Sequence, residues 1–248
     1  LFIALAFYNA ILYLRIGVAG HIYYSLYLLS MVLIIASYEG LLFYLPTPPP
    51  AQWVISAMSL APVLSSLCLL AFGRHVLQLD RFRPRVARFY KRTTLVVLAS
   101  LPLTLLKLGS FNFWLEITVV LLTIALGGVA ATMIKSGQRA AVYFSISFIF
   151  IAVGYGIETT LYSLPMLAIL GSELALQVIP WMEQYFFYTC SVIEVFFLAL
   201  ALASYIDALR VESNEAKRKV VEQLEVAAKL KADYAQTLET EVQERTSE

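Results

Sequence analysis

Charge is what this sequence has least of. Charged residues make up 14% of the 248 and hydrophobic residues 60%, where a soluble globular domain runs to about 25% and about 45–50%. The deficit argues against a water-soluble domain and for a chain that is largely solvated by lipid. Cysteine is nearly missing too: Cys68 and Cys190 both sit inside apolar runs with no CxxC spacing. That excludes a disulfide framework and leaves them as small apolar side chains. His21 and His75 fall at loop edges without ligand-spaced partners, so no metal site is expected. No HExxH, paired aspartates or Ser-His arrangement lies in the apolar runs, so neither catalytic residues nor a cofactor are expected. The one basic stretch is short and juxtamembrane, which argues against nucleic acid as a partner.

What is present is a series of long apolar runs. A spanning helix needs ~20 mostly apolar residues, and length separates such runs from membrane strands, which need only ~9–11 and alternate in polarity. The runs fall at about 1–14, 22–45, 53–72, 93–108, 113–134, 141–161 and 181–205. Pro46 and Pro48 to Pro50 stop the second. Pro62 and Pro102 are expected kinks in the third and fourth, and Gly109-Ser110 an expected tight turn. The expected fold is therefore an all-α membrane protein with a seven-transmembrane-helix bundle. The chain opens on Leu1-Phe2-Ile3-Ala4 without Met or a basic lead and closes inside a polar helix. Those features are read as a segment of a longer protein and not as a signal peptide.

Lys and Arg in short loops set orientation. Arg15, the stretch from Arg74 to Arg92, and Lys135 with Arg139 occupy alternate loops, and Arg210, Lys217, Arg218 and Lys219 follow the last run. The opposite loops offer only Lys107. With seven spans all the basic segments share one side, which puts the N-terminus outside and the tail in the cytoplasm. The basic stretch itself fixes topology and meets anionic lipid. Its Asp80-Arg81-Phe82 is similar to the D/E-R-Y triplet of G-protein-coupled receptors, but the last run lacks Asn-Pro-x-x-Tyr.

After Tyr205 the composition changes. Residues 206–248 hold no Gly or Pro and are rich in Glu, Lys, Ala, Gln and Val, a helix-forming mixture. Ala216, Val220, Leu224, Ala227, Leu230, Tyr234, Leu238 and Val242 recur every three or four residues. Their spacing is slightly wider than a heptad's ~3.5, which implies a stutter. A narrow stripe on a polar helix fits a parallel dimeric coiled coil; the alternative is a lone amphipathic helix on the membrane surface. The expected domains are thus 1–205, the helical membrane domain, and 206–248, a cytoplasmic coiled-coil stalk.

Ionisable groups inside spans cost about 2.5–3.5 kcal/mol on insertion scales and mark candidate sites. Glu194 lies in the middle of the seventh run. It is either a polar switch or lock between helices, or a protonated side chain bonded to a neighbouring Ser or Thr with a structural role alone. Glu39, Glu116, Glu158 and Glu183 fall toward the outer ends of their spans. Together they are a candidate outward-facing pocket for a cation or small polar ligand; the alternative is that each sits in water at headgroup depth.

Three patches carry a family resemblance. They are Tyr8-Asn9 with Leu12 to Arg15, Tyr23 to Tyr27 and Ser30; Gln138 to Phe144; and Ser191 to Glu194 with Leu198 to Ala203, Ile206, Leu209 and Arg210. They resemble the seven-helix domain of the seven-transmembrane receptors with diverse intracellular signalling modules, over roughly residues 1–212, although the Pro usual in the middle patch is missing. The pattern Leu238-Glu239, Val242 to Thr246 is similar to linkers that precede histidine kinase or diguanylate cyclase domains. The resemblance implies a receptor in the bacterial inner membrane, with a signalling enzyme beyond the stalk and an unknown small-molecule or domain-borne ligand. The expected function is relay of an outside event through the seventh helix into a homodimeric coil. Small residues on that helix, Ala199, Ala201, Ala203 and Ser204, allow close helix approach. The rival is a membrane transporter or ion-coupled permease, which usually shows internal repeats with broken helices; none is visible. A retinal receptor needs a Lys in the last span, and there is none.

Overall fold

The structure, a computed structural model, describes residues 1–47, 49–104, 109–163 and 185–247. Among these residues there is no strand, and the long elements are helices: α1 (Phe2–Ile16), α2 (Ala19–Tyr38), α3 (Ala51–Val76), a one-turn α4 (Leu79–Phe82), α5 (Pro84–Thr104), α6 (Gly109–Met133), α7 (Arg139–Ser163) and α8 (Phe187–Ser247). Short 3-10 turns occupy Leu41–Tyr44 and Ile134–Ser136. A helix satisfies every backbone donor within itself, which is what lipid demands of a spanning segment. Among the described residues, four helical stretches are long and apolar enough to cross a bilayer: Ala19–Tyr38, Ala51–Val76, Ile117–Ser136 and Phe187–Tyr234. Phe2–Ile16 and Arg139–Gly154 are apolar but shorter.

The helix limits differ from the apolar runs for local reasons. The second run reaches Leu45 in hydropathy, but α2 stops at Tyr38 because Gly40 takes a left-handed φ of 66°. Gly17, at φ 74°, closes α1 and returns its N–H to the Tyr13 carbonyl, the usual glycine C-cap. The fourth run begins its helix earlier than hydropathy indicates, at Pro84, where proline's missing N–H costs nothing. Pro62 and Pro102 stay inside α3 and α5. Gly109 and Ser110, expected as a turn, form the first turn of α6.

Packing divides the chain into two units, Leu1–Tyr205 and Ile206–Glu248. Within the first, α2 packs on α1 and α3, α3 also meets α5 and α6, and α6 meets α7. Contacts between named residues give the directions. Ser25 and His21 of α2 meet Ala6 and Asn9 of α1, and Tyr24 and Met31 meet Phe72 and Ser65 of α3, so both neighbours run antiparallel to α2. On α7, Phe150 and Gly154 meet Phe197 and Cys190 of α8, again antiparallel.

The core of this unit is mainly aliphatic, with a run of aromatic rings inside it. Phe72 stacks on Phe144 at 6.2 Å between centroids, and Phe144 meets Phe148 at 5.4 Å. Glycines let the helices approach these rings. A Cβ on Gly73 would lie 2.6 Å from Phe144 Cζ, and one on Gly127 2.5 Å from Phe148 Cδ1, whereas next to it Gly128 has nothing within 4 Å.

The second unit is helix throughout its described residues. Its polar surface carries an Arg218–Glu222 pair at 3.4 Å, an exposed i,i+4 contact worth little. Val220, Leu224, Leu230, Tyr234 and Val242 are all exposed. The side chain of Leu238 lies outside the described residues.

The adjacent glycines give a matched test. Gly127→Ala should lower thermal stability in detergent by about 1–3 kcal/mol through overpacking against Phe148. Gly128→Ala should be neutral or raise it by up to about 1 kcal/mol, as for any exposed helical glycine. Equal melting temperatures for the two variants would contradict the close α6–α7 approach.

Candidate functional site

Glu194 is the most deeply buried acid described, 3% exposed in the first turns of α8. A carboxyl group there needs a partner, because lipid and packed side chains offer none. The partner is Tyr27 of α2, whose hydroxyl donates to Glu194 Oε1. One turn earlier on α2, the Tyr24 hydroxyl donates to the Val195 carbonyl at 2.8 Å. Tyrosines three apart on a helix share a face, so α2 grips two successive residues of α8.

The same two helices meet at both ends. Tyr188 of α8 donates to Glu39 Oε1, just past the end of α2. At the other end a Cβ on Gly20 would lie 2.7 Å from Leu202 Cδ1. The pairs 39–188, 27–194, 24–195 and 20–202 descend in order, so α2 and the membrane part of α8 are antiparallel along their contact. Beyond them, the Tyr205 hydroxyl lies 3.3 Å from His75 Nε2, with their rings edge-on at 5.3 Å. Tyr23 approaches the other side of His75 at 6.0 Å between centroids.

Further polar groups hold α2 to α1. His21 Nδ1 lies 2.9 Å from Asn9 Oδ1, Asn9 Nδ2 donates to the Leu5 carbonyl, and Ser25 donates to the Ala6 carbonyl at 2.8 Å. The α2 helix therefore presents tyrosines to α8 and its His21 and Ser25 to α1. At the foot of α3, Arg74 grips Asp80 with two hydrogen bonds of 3.1 and 3.2 Å.

The sequence-derived candidates are treated unequally by the fold. Glu194 acquires an interhelical tyrosine in place of the Ser or Thr considered from the sequence. Glu39 is exposed and acquires Tyr188. Glu116 and Glu158 belong to α6 and α7, but their side chains, and Glu183 altogether, lie outside the described residues. Of the four outer acids, Glu39 is therefore the one whose side chain falls among the described residues. Among the described residues no group of three or more His, Cys, Asp and Glu is placed to hold a metal ion. The residues that sequence reasoning missed are Tyr24, Tyr27 and Tyr205. Their signal was legible in principle: hydroxyls at i,i+3 spacing inside an apolar run, with an acid in another run.

The family model described as 7TM diverse intracellular signalling matches residues 1–205. No curated protein and no solved structure matches the chain.

Removing one partner of a buried hydrogen bond strands the other. Tyr27→Phe should therefore cost about 1–2 kcal/mol of thermal stability in detergent, toward the upper end for membrane hydrogen bonds. Tyr24→Phe should cost about half as much, because the Val195 carbonyl keeps its helical partner. The reverse ranking would contradict a supporting role for Glu194.

Proposed function

The chain belongs to the 7TM diverse intracellular signalling family, and on that premise we propose that it is a receptor module which relays an outside event through α8. The observation that carries the reading is that α8 joins the buried Tyr27–Glu194 contact and continues as helix to Ser247. A shift of α2 against α8 would be felt first at Glu194 and Val195 and then along the same helix. Such a device needs an element with two discrete arrangements, and a buried acid with a movable hydroxyl partner is a suitable one.

The proposal includes seven crossings: α1, α2, α3, α5, α6, α7 and residues 187–205 of α8. The family description supports this count, and so does the antiparallel contact of α2 with α8, since helices of even and odd rank must oppose one another. Arg15, Arg74 and Arg139 all stand near turns at the end where His75 meets Tyr205. By the positive-inside rule that end faces the cytoplasm, so the N-terminus is outside, in a bacterial inner membrane. Glu39, at the opposite end, is the described member of an outward-facing ligand site. Residues 206–248 form a homodimeric coiled coil through the exposed stripe of Val220, Leu224 and Leu230, leading to an output enzyme of the diguanylate cyclase or histidine kinase class.

Cysteine crosslinking in native membranes tests both dimer and relay. In a background with Cys68→Ala and Cys190→Ala, single cysteines at Val220 and Ala227 should form intermolecular disulfides, and one at Arg218 should not. Adding Glu194→Leu should change the yields at the stripe positions by twofold or more. A stalk without periodic crosslinks contradicts the dimer; periodic crosslinks indifferent to residue 194 contradict the relay. Solute flux in vesicles would instead favour the transporter reading.

A further inference from the structure

The first half of α5 carries a feature that the signalling relay does not use. Its buried face is Ala87, Tyr90 and Val97, with the Tyr90 hydroxyl donating to the Leu122 carbonyl of α6 at 3.3 Å. That face fixes the rotation of α5. The opposite face is then Arg85, Arg88, Phe89 and Arg92, at i, i+3, i+4 and i+7, all exposed. One turn further on, the exposed residues change character to Leu95 and Val96, which are 56% and 67% exposed. The outer surface of this helix therefore passes from arginine to bare aliphatic side chain within one turn.

A chain that spans a membrane has that transition at one depth only, the boundary between headgroups and hydrocarbon. The arginines lie on the exterior of the bundle, on the same face as the lipid-exposed Leu95 and Val96. Nothing nearby in the sequence neutralises them: Asp80 is the single acid from residue 74 to residue 115, and Arg74 already holds it. Phe89, 57% exposed among the arginines, suits the interface as an aromatic anchor. Cationic side chains, guanidinium and ammonium alike, bind phosphate oxygens through charge-assisted hydrogen bonds.

We infer that Arg85, Arg88 and Arg92 form a binding face for the phosphate groups of anionic phospholipid, seated on the outside of α5 with the acyl chains along Leu95 and Val96. The occupant is a lipid and not free phosphate, because the stripe runs directly into apolar surface that only acyl chains would cover. The inference rests on the membrane location of residues 1–205 and is independent of the relay. It goes beyond a topological signal, since it requires occupancy by headgroups of one charge.

The test is a thermal-shift titration of the purified protein in detergent with dioleoyl-phosphatidylglycerol, against dioleoyl-phosphatidylcholine. The first should stabilise saturably at a mole fraction at least tenfold lower than the second, and 0.5 M NaCl should weaken the difference. Each arginine near the surface contributes about a fivefold preference. R85Q/R88Q/R92Q should accordingly lose at least tenfold of it, and R85K/R88K/R92K should keep most of it. Labelling of a tail cysteine with an impermeant reagent should show both variants inserted like the parent. Equal stabilisation by the two lipids, or by sodium phosphate at matched concentration, would overturn the proposal. So would the same loss in K135Q/R139Q, which would assign the preference to the whole basic end. If the glutamine variant fails to fold, the lysine variant decides: loss of the preference there, with unchanged insertion, also overturns it.

Discussion

A carboxyl group buried among helices is the constraint around which the membrane unit is arranged. Glu194 is buried among packed helices, so its partner has to come from the protein. Tyr27 supplies it, and the rest of the α2–α8 contact follows from that pairing. Once Tyr27 is fixed, helical geometry brings Tyr24 to Val195; at the foot of α2, Gly20 leaves the space that the end of Leu202 occupies. Small residues at helix crossings and a few polar contacts are what membrane packing relies on, since apolar surface gains nothing by leaving lipid.

The α2 helix is consequently the organising element, although its composition does not single it out. It is bonded to α1 through His21 and Ser25, packed on α3 through Tyr24 and Phe72, and bonded to α8 through two tyrosines. A change in α1 or α3 therefore has a short physical route to Glu194. Tyr205 and His75 form a second, looser contact at 3.3 Å, near the end of the membrane unit. Much of the route is made of hydrogen bonds, side chain to side chain at His21–Asn9 and Tyr27–Glu194 and side chain to backbone at Ser25 and Tyr24, which exchange partners more readily than interdigitated aliphatic packing. That difference is what recommends it as a signalling element.

Much of the all-helical architecture was legible in the sequence, because run length and charge distribution are set by the solvent and not by tertiary detail. Glu194 was legible as an acid that must find a partner for the same reason: an acid within an apolar run is costly wherever it ends up. Its partner was legible only as a pattern, hydroxyls at i,i+3 spacing in another apolar run. That Tyr27 is the one to meet Glu194, 167 residues away in sequence, needed the fold. Helix ends were missed where conformation overrode hydropathy, at Gly40 and at Pro84. The exposed arginine face of α5 was visible only as a count of basic residues; its direction needed the burial of Ala87, Tyr90 and Val97 to be known.

The central claim is that Tyr27 and Glu194 act as a pair in holding α8. A double-mutant cycle with Tyr27→Phe, Glu194→Met and the combination, read as thermal stability in detergent, addresses it directly. Each single change should be destabilising, and the double variant should be more stable than the sum predicts by about 1 kcal/mol or more, because removing both partners leaves no stranded group. Additivity within about 0.3–0.5 kcal/mol, the behaviour of independent sites, would contradict the account.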